Sequence, residues 1–309
     1  MEKMNRMRIP IIIWSIISLA YAPVMIYIVV TKLVIHWDGS IINVVYAIAS
    51  FLVAAFIFER KDKAIEKLRD EYKLNYVAGI LDSLFPGVYY EPDESIPRQY
   101  LADTKMVYLG DRYSGEDYVR ARYKNVLFQQ SDICIQQRKD KGKNIRGRKT
   151  ERSTSAYYIC FIGRWMIFDF NKNFRSNVQI IQEGFLVPSP VGSRRKKESP
   201  YDPVTLESDK FNKGFRVYAQ NPHDAFYILT PSFMERIQAL TAHNKYKMMF
   251  CFSSNKLHIA IHGGGNSFEP GSVWKRFDDE RVKEAIWKDI GSITQFVDEL
   301  SLDNNLFMN

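Results

Sequence analysis

Cysteine is scarce in this chain: Cys134, Cys160 and Cys251 are three scattered residues among 309, with no C-x-x-C pair. That excludes a disulfide framework and the usual zinc ribbons, and it suits a reducing compartment. All three are expected to serve as small core hydrophobes. The sequence also contains no G-x-S-x-G, so the nucleophile elbow of the α/β-hydrolases is missing. This absence decides how to read His262-Gly263-Gly264-Gly265, a string from which lipases and esterases build an oxyanion hole. Only 47 residues follow His262, too few for the remaining strands, the acid and the base of such an enzyme. The glycines are instead expected to let the chain leave the strand "KLHIAI" through positive-φ conformations.

Charge is missing from two long stretches. Ile9 to Val30 runs 22 residues without an ionisable acid or base of the Asp, Glu, Lys or Arg type, and Ile41 to Phe58 runs 18 more. At about 1.5 Å per residue, runs of roughly 18 to 25 cross a hydrocarbon core about 30 Å thick. Both are expected to be transmembrane helices. The first is too long for a signal-peptide core, and no small-x-small cleavage site follows it at 31–40. Pro10 is expected at the entrance of the first helix, and Pro23 inside it as a kink. Trp14 and Trp37 are candidate interface anchors. Lys3, Arg6 and Arg8 precede the first run, and Arg60, Lys61, Lys63, Lys67 and Arg69 follow the second. Lys32 is the one basic residue between them outside histidine. The positive-inside rule therefore puts both ends in the cytoplasm.

The formal net charge of +8 is local. Arg138 to Arg152 carries +6 and Arg194 to Lys197 carries +4, so the remainder is near −2. The basic positions are Arg138, Lys139, Lys141, Lys143, Arg146, Arg148, Lys149 and Arg152, then Arg194, Arg195, Lys196 and Lys197. On a domain tethered to an anionic leaflet, such clusters are candidate contacts for lipid headgroups or an acidic partner. The first run has no interleaved aromatic residue, which argues against nucleic acid.

Hydrophobic period then locates the elements. Asp62 to Gly87 reads as a helix that continues the second apolar run and ends at Pro86-Gly87. Arg98 to Ala102 allows a short helix. From Tyr118 the period falls to two. Strands are expected at Tyr118–Tyr123 and Val126–Gln137 around a Lys124-Asn125 turn, and two more on either side of Gly163-Arg164. "NVQIIQEG" and "GFRVYAQN" read as short strands. Thr230-Pro231 is an N-cap followed by proline at the first helical position. "YKMMFCFSSNKLHIAIHG" reads as a strand pair turning at Ser254-Asn255-Lys256, and "DERVKEAIWKDIGSITQFVDELSL" as a closing helix or two. There is no internal repeat and no alternation of strand with helix. The expected fold is α+β: a two-helix transmembrane hairpin, then a cytosolic domain with a mainly antiparallel sheet and packed helices.

Four blocks, "YSGEDYV" (113–119), "FIGRWMIFDFNKNF" (161–174), "FNKGFRVYAQNPHDAFYILTPSFMERI" (211–237) and "FCFSSNKLHIAI…SFEP" (250–270), occur in order. In this succession the chain resembles the bacterial domain of unknown function 3137 family, from about Leu74 onward. The resemblance implies a bacterial inner-membrane protein with paired N-terminal spans and a cytosolic domain. It also suggests a neighbouring helical membrane protein of the LemA type, and it brings no catalytic residues or cofactor.

The remaining motifs yield no assembled chemistry. His258 and His262 are four apart, a chelating interval on a helix, but on a strand they lie about 13 Å apart and cannot share a metal. Ser253-Ser254-Asn255-Lys256 has the S-x-x-K spacing of penicillin-recognising enzymes, yet falls in a turn. Glu116, Asp117 and Asp169 are the candidate functional carboxylates. Asp169 interrupts an aromatic strand and needs a cationic partner such as Lys172 or an arginine. The domains expected are 1–58 (hairpin, helices about 9–30 and 41–58), 59–87 (juxtamembrane helix) and 88–309 (α+β). The expected function is a non-enzymatic, membrane-anchored binding or scaffold protein; the alternative is a membrane-tethered hydrolase using carboxylates near Asp169 and Glu116.

Overall fold

A computed structural model describes residues 1–35, 41–138, 156–170, 176–187, 201–242, 244–263, 267–300 and 302. The chain forms two compact units, one of Met1–Ile80 with Phe268–Trp287, the other of Leu81–Ser267 with Lys288–Asn309. The architecture is α+β, with two N-terminal apolar helices and an antiparallel sheet carrying helices.

In the first unit, α1 spans Glu2–Val29 and runs on through a π-helical turn, Val30–Ile35. α2 spans Ile41–Glu71, followed by a second π turn at Tyr72–Val77 and by α3, Ala78–Leu84. Pro10 is therefore not at the helix entrance: the flanking "EKMNRMR" is already helical, because most of these residues are good helix formers, and Pro10 joins Pro23 inside α1. The two helices pack through small side chains. Asn43, Ala47, Ser50, Ala54 and Ile57 of α2 are buried, a stripe at three- and four-residue spacing. Tyr21 Oη lies 3.1 Å from both the carbonyl oxygen and Oγ of Ser50, and Trp14 meets Phe56 edge-on. The large apolar residues point the other way, with Leu19 78% and Ile41 80% exposed.

Phe268–Trp287 completes this unit. Asn5 Nδ2 donates to the Phe277 carbonyl and the Phe277 N–H donates to Asn5 Oδ1, both at 2.9 Å. Arg8 Nη1 donates to the Val273 carbonyl at 3.4 Å. Glu269 lies 3.4 Å from Arg69 Nε and 3.3 Å from the buried Lys73 Nζ. Lys73 is a lysine that can stay buried only with such a counter-charge.

In the second unit, the strands are β1 Tyr89–Glu91, β2 Arg112–Tyr123, β3 Val126–Arg138, β4 Tyr157–Asp169, β5 Val178–Gln182, β6 Asp202–Val204, β7 Phe215–Ala219, β8 Lys247–Ser253 and β9 Lys256–His262. They form one sheet in the order β1-β2-β3-β4-β9-β8-β5-β7-β6, and every neighbouring pair is antiparallel. Lys124 and Asn125 join β2 to β3 as expected, and Ser254 and Asn255 join β8 to β9, all at positive φ; Lys256, expected in the second turn, is instead the first residue of β9, paired with Ser253. The helices are α4 Arg98–Thr104, α5 Asp209–Gly214, α6 Pro222–Ile228, α7 Pro231–Ala242 and α8 Asp279–Leu300. Thr230 Oγ1 accepts the Phe233 N–H at 3.4 Å, which caps α7.

Gly163 does not divide two strands. β4 is a single 13-residue strand that runs straight through it. Gly163 takes φ +150°, and a Cβ there would meet the Ile261 carbonyl oxygen at 2.0 Å. Glycine is needed for close approach of β9, not for a turn.

Both faces of the sheet are covered. On one, Ile133, Ile135, Trp165, Ile167, Met249, Cys251 and Ala260 pack with Ile96, Leu101, Met106 and Phe185. On the other, Phe128 meets Phe85, Phe168 meets Phe296 of α8, and Phe252 meets Phe233 of α7. That double burial explains why "MMFCF" of β8 reads as a continuous apolar run.

Candidate functional site

The most developed polar grouping in the sheet unit centres on Arg164. The β3–β4 register sets Arg164 opposite Asp132, and the guanidinium Nε lies 3.7 Å from Asp132 Oδ1. Nη1 donates to the Asp289 carbonyl at 2.9 Å, and Nη2 to Asp289 Oδ1 at 3.3 Å. Nη2 also donates to Ser267 Oγ, while the Ser267 N–H donates to Asp132 Oδ2. Asp132 is buried and Arg164 largely so. Four segments therefore meet at one cation: β3, β4, the chain after the glycine triplet, and α8. Arginine suits the task because its planar fork can serve several acceptors at once. Chemically this is a clasp, with its charges and donors directed at protein groups.

Sequence reasoning missed Asp132 and Arg164. Treating "FIGRWMIF" as two strands hid the alternation that places Trp165 and Arg164 on opposite faces. An aspartate and an arginine at inward positions of adjacent strands would have been the signal.

The sequence-nominated carboxylates do not come together with Asp169. Glu116 pairs in register with Asp132, and Asp117 occupies the bulge that follows, at φ +58°. The Asp117 N–H donates to the Pro92 carbonyl at 2.8 Å, and its carboxylate accepts the Tyr90 hydroxyl at 2.7 Å. Asp169 lies at the far end of β4, five residues from Arg164, which is about 16 Å at strand rise. Its cation is Lys256, directly opposite on β9, with Nζ–Oδ1 at 2.9 Å. Lys172 lies outside the described residues.

Lys256 is thereby engaged, and Ser253 is its closing partner in the β8–β9 hairpin, so the S-x-x-K spacing is a hairpin tip. The histidine-glycine string is equally committed. The Gly263 N–H donates to the Ile162 carbonyl at 2.9 Å, and a Cβ on Gly263 would reach the Tyr246 ring at 2.9 Å. Gly264 and Gly265 lie outside the described residues. Of the basic positions, Arg138 is exposed at the end of β3, its N–H donating to Asp111 Oδ2 at 2.8 Å. Lys139, Lys141, Lys143, Arg146, Arg148, Lys149, Arg152 and Arg194–Lys197 lie outside the described residues, as does Trp37.

His258 and His262 share one face of β9 but serve the core. Trp165 Nε1 donates to His258 Nδ1 at 3.4 Å, which leaves the ring proton on Nε2. Burial, aided by Lys256, pushes the His258 pKa down from 6.5 to about 3. His262 contacts Phe161 and Phe185, and burial lowers its pKa too. The unfolded chain takes up a proton on His258 near pH 6.5 and the folded chain does not. Its contribution to stability is full above that pH and is lost as pH falls toward about 3, at up to about 1.4 kcal/mol per pH unit. Denaturant midpoints measured against pH should therefore fall less steeply below pH 6.5 for His258→Gln than for the parent chain. Parallel curves would remove His258 from the account.

One open concave surface of this unit, among the described residues, is a cleft of about 480 Å³ along α7. It is lined by Leu206, Phe226, Leu229 and Met234, with Lys210 and Glu235 among its polar residues. A second cleft of about 740 Å³ shares Lys210, Glu235 and Gln238.

Residues 159–302 match the family model described as "Protein of unknown function (DUF3137)". The family resemblance drawn from the sequence blocks stands over that span, while "YSGEDYV" lies before it. Among curated proteins, none matches this sequence. Among solved structures, the crystal structure of the mycobacterial trehalose monomycolate transport factor A, TtfA, aligns at TM-score 0.39 and 12% identity. That alignment covers 76% of this chain and 94% of that one, a likeness too slight to assign a shared fold.

Proposed function

We propose that this chain, which carries a DUF3137 domain over residues 159–302, is a membrane-anchored, non-enzymatic binding module of the bacterial inner membrane. The observation that carries the anchoring is the inside-out packing of the hairpin. Small and polar side chains of α2 face inward, while Leu19, Tyr27, Ile41, Leu52 and Phe56 face outward. Water would penalise such a surface, whereas lipid accepts it, and close packing of small residues is how helices associate in lipid. The basic flanks favour an orientation with both ends in the cytoplasm. The commitment of Arg164, Lys256, His258 and Gly263 to structural partners supports a binding role over the hydrolase alternative. So does the separation of Asp169 from Glu116. Candidate contacts are anionic lipid for the two basic segments, and a helical membrane protein of the LemA type as partner.

Cysteine labelling tests both anchoring and orientation. The native thiols are poor targets. Cys160 and Cys251 are buried and Cys134 is half-buried, and burial pushes all three thiols up in pKa and so away from the reactive thiolate. In spheroplasts, Ser40→Cys should react with an impermeant maleimide, and Lys61→Cys should react only after permeabilisation. The reverse pattern would invert the topology. Release of the chain from membranes by alkaline carbonate would end the anchoring reading.

A further inference from the structure

The unit built on α1 and α2 holds a short segment whose exposure its own packing does not explain. Trp274 is 60% exposed, although tryptophan is among the residues most buried on average. It is flanked by exposed Lys275 and Arg276. The segment is held firmly all the same. Asn5 clasps the backbone of Phe277 through two hydrogen bonds, and Arg8 reaches the Val273 carbonyl. Those bonds fix its height along α1. Arg8 is the last charge before the uncharged run that begins at Ile9, and Asn5 is only about 6 Å below Ile9 along the helix axis at 1.5 Å per residue. Trp274 is thus held beside the place where the helix changes from charged to apolar. A cleft of about 200 Å³ adjoins it, lined in part by Lys275, Arg276, Arg281, Glu269 and Asp278. Glu269 is already neighboured by Arg69 and Lys73, so the cleft faces outward with an excess of cations.

We infer that Val273–Arg276 is an interfacial foot, with Trp274 seated at the headgroup boundary and Lys275 and Arg276 holding the phosphates of anionic phospholipids. The inference rests on the membrane anchoring proposed above. An indole at the end of a helix hairpin belongs in the interface, where its ring is apolar and its N–H can still bond. Neighbouring Lys and Arg add attraction to an anionic leaflet.

The test uses the full chain in proteoliposomes containing lipids brominated near the headgroup. The emission of one tryptophan is obtained as the difference between the parent chain and a Phe variant: Trp274→Phe for the foot, Trp14→Phe for the hairpin. In phosphatidylglycerol vesicles, the Trp274 component should be blue-shifted and strongly quenched. Lys275→Gln/Arg276→Gln should lose most of that quenching there, with little change in phosphatidylcholine. If the Trp14 component is protected from aqueous quencher while the Trp274 component emits like free indole, the foot is overturned and the anchoring stands. Aqueous quencher reaching both would overturn the anchoring and the foot with it. A double variant indistinguishable from the parent in phosphatidylglycerol would overturn the phosphate assignment.

Discussion

Gly163→Ala should lower the melting temperature of the chain by about 10 °C, the shift expected for a loss of about 4 kcal/mol in a domain of this size. A methyl group at this position would lie 2.0 Å from the Ile261 carbonyl oxygen, with Gly263 N at 3.1 Å. Those atoms are backbone and cannot rotate away as a side-chain end can. Relief requires β4 and β9 to part where Arg164 pairs with Ile261 and where the Gly263 N–H meets the Ile162 carbonyl. The φ of +150° adds backbone strain for any residue with a Cβ. Gly291→Ala in α8 is the matched control. Nothing lies within 4 Å of a Cβ there, and alanine should gain up to about 1 kcal/mol through helix propensity. Thermal melts of both variants in detergent decide the matter. Equal behaviour would mean that β4 and β9 do not approach as closely as described.

Arg164→Met should cost about 3–5 kcal/mol, because it removes one partner of a buried ion pair and leaves the other uncompensated. Asp132 would keep its bond from the Ser267 N–H but lose its cation, and Asp289 would lose the guanidinium at its carbonyl and carboxylate. Arg164→Met/Asp132→Leu separates the two sources of loss. If the stranded carboxylate dominates, the double variant should recover roughly half of the deficit, since apolar replacements of buried pairs are often tolerated. The rest should remain as the unpaired Ser267 N–H and the packing lost around the guanidinium. A double variant no more stable than the single one would place the loss in packing and in the Asp289 and Ser267 contacts. Denaturant titrations of the three chains, analysed as a cycle, provide the comparison.

Much of the candidate site was hidden in the sequence, for a physical reason visible at Asp169. Its need for a cation was legible, because a carboxylate among aromatic residues must be paired. The identity of that cation was not: Lys256 is 87 residues away and becomes its neighbour only when β9 pairs with β4. Arg164 is the sharper case. Its glycine neighbour suggested a turn, and the close approach that requires the glycine is made by a strand almost a hundred residues downstream.

What the sequence by itself determined was whatever a few consecutive residues decide. The uncharged runs specify the apolar helices, and Lys124-Asn125 and Ser254-Asn255 specify their hairpins by tolerating positive φ. Thr230-Pro231 specifies the start of α7 by supplying a cap and a preset φ. Only the tertiary structure decided that β4 continues through Gly163, that Arg164 binds four segments together, and that Phe268–Trp287 joins the unit of the N-terminal helices. Those outcomes depend on which distant segments can share one sheet or clasp one side chain. Such pairings are chosen by the burial and hydrogen bonding of the whole fold, and they leave no local period or turn to read.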